Sequence, residues 1–313
     1  MLPRRRLRVR HLREALRWGA LVKRADFRCL TRLRVRWAEV DMQKIVFNAH
    51  YLMYFDTAVA DYWRALGLPY EAAMQRLGGD LYVRKATVEY HASARADDAL
   101  DVGLRCARVG TTSLTFEGGV FRGEQFLVGG ELVYVFADPA TQTSRPVPEA
   151  LRALLQDFEA GQPVVRVAMG DWATLREPAA AVRTEVFVEE QGIAREDEWD
   201  EADASAIHAV VFNRLDQPLA TGRLLPHAGG GTQTGRIGRM AVLRSMRGSG
   251  QGARVLHALL DAAWARGDTE VLLNAQRSAE GFYRRLGFTV RGEPFDEVGI
   301  PHVQMALARP AGR

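Results

Sequence analysis

Cysteine is nearly absent from this chain. Its 313 residues contain two, Cys29 and Cys106. They allow one bridge at most, and a chain long enough for two domains does not need it, so a reducing cytoplasm is the expected home. Long apolar runs are missing as well. No stretch approaches the roughly 18 residues that a membrane-spanning helix requires, and residues 1–27 lack the continuous apolar segment of a secretory signal. No Gly-Lys-Ser/Thr triplet follows a glycine-rich stretch, and the glycine spacing of a dinucleotide fingerprint is absent too. Both gaps turn the reading away from P-loop and dinucleotide-binding chemistry. The rest is ordinary: 47% apolar and 26% charged, the profile of a folded chain rather than a disordered one.

Charge is unevenly placed. Residues 1–28 hold ten Lys and Arg against Glu14 and Asp26, a net +8, while the whole chain carries +4, so the remainder is at −4. Basicity therefore belongs to an N-terminal arm, residues 1–27, and a nucleic-acid-binding body is excluded. The arm itself leaves three readings open: a solvated extension, an anion-binding tail or short amphipathic helix that in one version tethers nucleic acid, or a presequence or start-site artefact.

Beyond the arm, Arg32, Arg34 and Arg36 alternate with Leu33, Val35 and Trp37, the period of a half-buried strand. Tyr51, Leu52, Phe55, Ala58, Val59, Tyr62, Trp63 and Leu66 follow at helical spacing, and Gly67 then stands where a helix C-terminus wants glycine. Four strand-like runs come next, at 82–90, 100–109, 113–122 and 124–137. One buried helix with an antiparallel sheet is an α+β architecture. A Glu-Ala-Gly-Gln-Pro break places a boundary near 157–163, giving domains at 28–160 and 163–313. The second domain reads as strand 164–169, helix 173–190, a hairpin of 208–213 with 219–225, strand 236–243, helix 250–266, strand 270–275, helix 278–286 and closing strands, with a surface turn at Gly229–Gly231.

Two stretches carry chemistry. The first is Asp41-Met42-Gln43-Lys44-Ile45-Val46-Phe47-Asn48-Ala49-His50-Tyr51. An aspartate is an ionised carboxylate at neutral pH, and here it precedes a buried helix by a few residues. The first N–H groups of that helix lack partners and suit a developing oxyanion. A carboxylate beside such amides is a minimal device for acyl transfer. This stretch resembles the signature of hotdog-fold thioesterases of the 4-hydroxybenzoyl-CoA thioesterase type. The likeness spans about residues 30–150 and takes in Val88-Glu89-Tyr90, Ala92-Ser93-Ala94, Asp98-Ala99-Leu100-Asp101-Val102, Gly130-Glu131-Leu132-Val133-Tyr134 and Arg145-Pro146-Val147-Pro148. It implies a sheet wrapped round a central helix, a site opening at a dimer seam, Asp41 as nucleophile or general base, and the Asn48 amide as holder of the thioester oxygen. Lys44 departs from the pattern, in which glycine is common. It reaches solvent, grips a CoA phosphate or crowds the loop. His50 is expected to be a partly exposed neighbour rather than a base.

The second stretch is Arg247-Gly248-Ser249-Gly250-Gln251-Gly252-Ala253, set between a strand and a helix whose apolar face is Val255, Leu256, Leu259, Leu260 and Ala263. Small residues let backbone approach a ligand, and the helix start offers donors to a pyrophosphate. With strand Arg239-Met240-Ala241-Val242, Asn274 and Phe282-Tyr283-Arg284-Arg285-Leu286-Gly287-Phe288, it resembles the GCN5-related N-acetyltransferases over about 164–309. The likeness implies acetyl-CoA as substrate, with the backbones of Met240 and Val242 pairing its pantetheine. It also implies the amides of Gly248 to Ala253 on its pyrophosphate, Asn274 on a pantetheine amide, and Tyr283 protonating the departing thiolate. A phenol with an ordinary pKa near ~10 is protonated at neutral pH and can do so.

The acceptor side is open. Glu185, Glu189, His208 and His302 are all eligible bases. The loop 196–203, with six acids in eight residues, either attracts a cationic amine or is a solvated charge run. Joined together, the two resemblances imply a bifunctional enzyme, hydrolysing acyl-CoA and acetylating an amine, homo-oligomeric through its hotdog part and using no metal. Two alternatives stand beside it: a thioesterase governed by a non-catalytic CoA-sensing module, and an acyl-homoserine-lactone synthase, which shares the second fold.

Overall fold

The computed structural model describes residues 22–227 and 233–310, so most of the basic arm and the Gly229–Gly231 turn lie outside the described residues. The chain divides between Val164 and Val165 into two compact units. None of its described helices is long and apolar enough to cross a membrane.

The first unit orders its strands β1 (Cys29–Arg34), β3 (Ala99–Val109), β4 (Ser113–Arg122), β5 (Gln125–Ala137) and β2 (Asp80–Tyr90), antiparallel throughout. Helix α1 (Asn48–Ala65) is the buried centre, with Tyr51, Tyr54, Phe55, Ala58, Val59, Tyr62 and Trp63 inside. Glycines set how closely it seats. Gly118 and Gly130 face each other across β4 and β5, and a Cβ on either would come 2.5 Å from the Phe55 ring. The notch they leave lets the sheet close on the helix. Helix α2 (Tyr70–Leu77), not expected from the sequence, follows Pro69 and ends at Gly78 in the left-handed region, while α3 (Glu149–Glu159) closes the unit. Two expectations are corrected. The first strand stops at Arg34, and Trp37 sits 85% exposed in a tight turn rather than on a strand. The fold also begins before residue 28: Phe27 is buried edge-on to Phe121 at 5.7 Å, and Arg24 pairs with Asp101 at 2.7 Å.

The second unit is an eight-stranded sheet. Its main path runs β11 (Thr289–Val290), β13 (Ile300–Ala308), β10 (Glu270–Gln276), β9 (Thr234–Val242), β8 (Pro218–His227), β7 (Ile207–Asn213) and β6 (Val165–Gly170), with β12 (Phe295–Glu297) on β13. All neighbours are antiparallel except β9 and β10. Helix α4 (Trp172–Arg183) widens into a π-type turn over Thr184–Glu190. Helix α5 (Gln251–Arg266) packs its face of Val255, Leu256, Leu259, Leu260 and Ala263 on the sheet, and α6 (Glu280–Arg285) carries Tyr283 into the same core.

Candidate active sites

In the first unit, residues Val40 to Val46 form a small antiparallel loop: Val40 bridges Val46, Asp41 N donates to the Ile45 carbonyl at 2.9 Å and Lys44 N to the Asp41 carbonyl at 2.9 Å. The loop requires a left-handed residue, and Lys44 supplies it with φ 61°. That backbone accounts for the preference for glycine at this place, and the exposed Lys44 side chain neither crowds the loop nor plugs the site. Asp41 Oδ1 accepts from Gln43 N at 2.8 Å, which fixes the carboxylate's orientation. Asp41, Asn48, Tyr51, Tyr90, Ala92 and Ser93 then line one cavity of about 310 Å³. Helix α1 starts at Asn48, three residues earlier than its apolar pattern, and has no side-chain cap; His50 N donates to the Phe47 carbonyl at 2.9 Å, so the amides left over at its start are those of Asn48 and Ala49. Tyr90 Oη donates to the Asn48 carbonyl at 3.1 Å, and buried Tyr51 accepts from Ala94 N at 3.0 Å, tying the helix start to the end of β2 and the segment that follows it. His50 does not line the cavity, and its Nδ1 is buried without a partner.

Glu39 is a site-shaping residue that sequence reasoning missed. It is buried, its carboxylate accepts from Tyr54 Oη at 2.6 Å and from Arg36 N at 2.9 Å, and its carbonyl accepts from Phe47 N at 2.9 Å. Two residues before Asp41, it thus fastens the loop to α1. The only sequence signal was an acid between two apolar residues. Burial alone pushes its carboxyl pKa up, but the hydrogen bonds from Tyr54 and Arg36 and the Arg36 charge outweigh that and hold it low. A carboxylate with a depressed folded pKa stabilises the fold above its unfolded pKa of about 4.3 and loses that contribution as pH falls through the folded value. Urea midpoints of the first unit at neutral pH and near pH 3 should therefore drop further for wild type than for Glu39→Gln.

In the second unit, β9 and β10 pair in parallel only from Thr234 with Glu270 to Ile237 with Leu273, although the strands run on to Val242 and Gln276. Beyond that point they part. The gap exposes the β10-side backbone of Gly238–Val242, where a pantetheine amide chain can pair, and Arg239 at φ 51° marks the bulge in β9. Met240 and Asn274 line the resulting cleft of about 460 Å³, and so does Tyr283. Burial pushes the Tyr283 phenol pKa well above its ordinary value, so the hydroxyl keeps its proton.

At the far end of β9, Gly248 and Gly250 have φ of 82° and 83°, which side chains resist, and nothing lies within 4 Å of where a Cβ would stand on either. The turn is open, and the first-turn amides of α5 have no acceptors of their own. Arg247 does not add its guanidinium to this cradle. It is clamped on Glu190 by bonds of 2.7 and 2.6 Å, with Nε on the Val242 carbonyl, and Ser249 N donates to the Met246 carbonyl at 3.4 Å, so the amides left over for an anion are those of Gly248, Gly250, Gln251, Gly252 and Ala253.

The acceptor side differs from both readings of the acidic loop. Arg183, among the most buried side chains, pairs with Glu198 and with Asp203 at 2.8 Å, and its guanidinium lies 4.4 Å from the Trp199 ring. Arg223 grips Asp200 at 2.6 Å and Asp203 at 2.7 Å, and Arg239 reaches Asp200 at 3.2 Å. Glu198, Asp200 and Asp203 are thus neither a solvated run nor a free field for an amine. Of the four eligible bases, His208 is buried with Nε2 on the Asp203 carbonyl and stays neutral, because desolvation lowers its pKa. Glu185 and Glu189 do not line the cleft, whereas His302 does. His302 Nδ1 lies 2.7 Å from the Ile300 carbonyl, which can only accept, so Nδ1 is the donor and Nε2 is the ring nitrogen left for a ligand. Glu297, on the β12 edge, also lines the cleft and holds Asn274 Nδ2 at 3.2 Å.

The comparisons agree with these two geometries. The Thioesterase superfamily model matches residues 43–128 and the Acetyltransferase (GNAT) domain model matches 184–309. The acyl-CoA thioester hydrolase YbgC of Escherichia coli O157:H7 is 30% identical over 123 residues, 39% of this chain and 90% of that protein. The uncharacterized N-acetyltransferase YjcF of Bacillus subtilis (strain 168) is 39% identical over 125 residues, 40% of this chain and 86% of that protein. The structure of Slr0204, a 1,4-dihydroxy-2-naphthoyl-CoA thioesterase from Synechocystis, aligns with TM-score 0.39 at 16% identity over 42% of this chain and 96% of that one. The chain thus belongs to the thioesterase superfamily through its first unit and to the GNAT acetyltransferases through its second.

Proposed function

We propose that the chain is a bifunctional enzyme that hydrolyses acyl-CoA thioesters in its first unit and moves acetyl from acetyl-CoA to an amine in its second. The observation that carries this is the pair of open helix starts, one lining a cavity with a fixed carboxylate and one following the end of β9 that has parted from β10. In the first, Asp41 either attacks the thioester carbonyl to form an anhydride that water then cleaves, or takes a proton from a water that itself attacks the carbonyl. The Asn48 amide holds the developing oxyanion, the C–S bond breaks, and CoA leaves with a proton. In the second, His302 Nε2 accepts a proton from the amine, nitrogen bonds to the acetyl carbon, the C–S bond breaks, and Tyr283 Oη protonates the sulfur. Mass spectrometry of free CoA and acetylated products, with acyl-CoAs offered alone and then with amines, tests both halves. Tyr283→Phe is expected to lower acetyl transfer about 10²–10⁴-fold at an unchanged acetyl-CoA KM; wild-type transfer in that variant contradicts the assignment.

A homo-oligomer through the first unit fits the same reading. Strand β2 is a sheet edge bearing exposed Val83 and Tyr90, and Phe47, Leu52 and Met53 are exposed around the cavity and along α1, apolar surface that a second copy would cover. Its two unpaired cysteines suit a cytoplasmic enzyme.

A further inference from the structure

The charges facing the second cleft are unequally used. Six lie on it: Glu198, Asp200, Arg223, Arg236, Arg239 and Glu297. Four of these are locked in the network with Arg183 and Asp203, whose three cations and three anions balance. Two are left. Arg236 is half-buried and has no hydrogen bond or ion pair among the described residues. Glu297 has only the neutral Asn274 amide.

Register places Arg236 on the cleft face. Leu224 and Ile237, paired across β8 and β9, point into the core under α5, so the alternate pairs Leu225 with Arg236 and Arg223 with Gly238 point the other way. Arg236 and Arg223 are therefore diagonal neighbours on one face. Arg223, itself buried, has its Nε–H left without an acceptor. A buried orphan donor beside an unpaired guanidinium is costly in the empty cleft and is relieved by an anionic oxygen. That anion is not the CoA phosphate. Arg236 lies on the still-paired side of the strand divergence, whereas the Gly248–Gly250 turn follows β9's opposite end.

Resting on the transferase reading above, we propose that the acceptor is an amine that also carries a carboxylate, a free amino acid being the simplest member of the class. Its carboxylate docks on Arg236 and the Nε–H of Arg223. Its ammonium meets Glu297, gives one proton to His302 and attacks as the free amine; the amide nitrogen sheds a second proton as CoA departs as the thiol. One residual cation and one residual anion on the cleft wall thus match one residual charge of each sign on the ligand.

The test uses the full chain with acetyl-CoA and matched triplets of amines: each amino acid, its carboxamide and its decarboxylated amine, with N-acetyl products read by mass spectrometry. The carboxylate member of at least one triplet should exceed both neutral analogues by about a hundredfold in kcat/KM. Arg236→Gln should raise its KM, largely erase that preference and leave the acetyl-CoA KM unchanged, and Arg236→Lys should restore part of it. Equal turnover within every triplet, or an undiminished preference in Arg236→Gln, overturns the proposal alone. Absence of transfer to any amine, with acetyl-CoA still bound, overturns the transferase reading and this proposal with it.

Discussion

Asparagine at position 41 is expected to cut thioester hydrolysis about 10²–10⁴-fold while leaving acetyl transfer at the wild-type rate. The substitution is informative because it preserves shape. The asparagine Oδ1 can still accept from Gln43 N, as Asp41 Oδ1 does at 2.8 Å, and the Val40–Val46 bridge and the left-handed Lys44 do not depend on the charge. What disappears is the negative charge and the basic oxygen at the cavity. The oxyanion donor at Asn48 remains, so a residual rate above background should persist. The measurement is CoA release from several acyl-CoAs by the full chain, with N-acetyl product formation followed in the same samples. Hydrolysis at the wild-type rate would remove Asp41 from the mechanism. Loss of both activities would point to damage beyond the loop.

The second large effect is on stability. Arg183→Met should destabilise the second unit by about 3–5 kcal/mol, because removing one partner of a buried ion network strands the others. Glu198 and Asp203 are each 2% exposed; Glu198 would be left with Arg239 at 3.5 Å and Asp203 with Arg223 at 2.7 Å, and the contact with the Trp199 ring would be lost. Calorimetry of the full chain should show the transition of the second unit falling while that of the first stays in place. Adding Glu198→Gln and Asp203→Asn to the same variant removes the stranded charges and should recover much of the loss. If the single variant melts like wild type, the network contributes little and the burial argument fails. If the triple variant is no better than the single, the loss comes from packing rather than stranded charge.

Much of this fold was legible because it is written locally. The spacing of Tyr51, Phe55, Ala58, Tyr62 and Trp63 marks one buried face of α1, and the alternation in 82–137 marks strands that close on it. Asp41, Asn48, Gly248 and Gly250 could be singled out as candidates because they stand at or just before a helix start, a place where backbone groups are left over for chemistry. Lys44 shows the limit of pattern alone: its departure from glycine left three readings open, and the structure has its side chain exposed to solvent while φ shows it taking the left-handed turn that glycine takes more easily.

What was illegible is non-local. Arg183 finds Glu198 fifteen residues on and Asp203 twenty on, so an acidic run that reads as solvated or as an amine attractor gives three of its six acids, Glu198, Asp200 and Asp203, to internal ion pairs. Arg236 reads in sequence as one more strand arginine. Only the parting of β9 from β10 and the register with β8 give it a cleft to face and no partner in it. Glu297 and His302 come together with Asn274 through the β10–β13 pairing, in which Gln276 lies opposite His302, and no spacing in the chain foretells that.

Hydrogen–deuterium exchange of the full chain with and without saturating CoA tests the central claim most directly, since both pockets are held to use backbone amides at a helix start. Slowed exchange is predicted in two separate stretches, the Asp41 loop with the start of α1 and the Gly248–Ala253 turn with the start of α5. Protection confined to one unit, or absent from both helix starts, would contradict it.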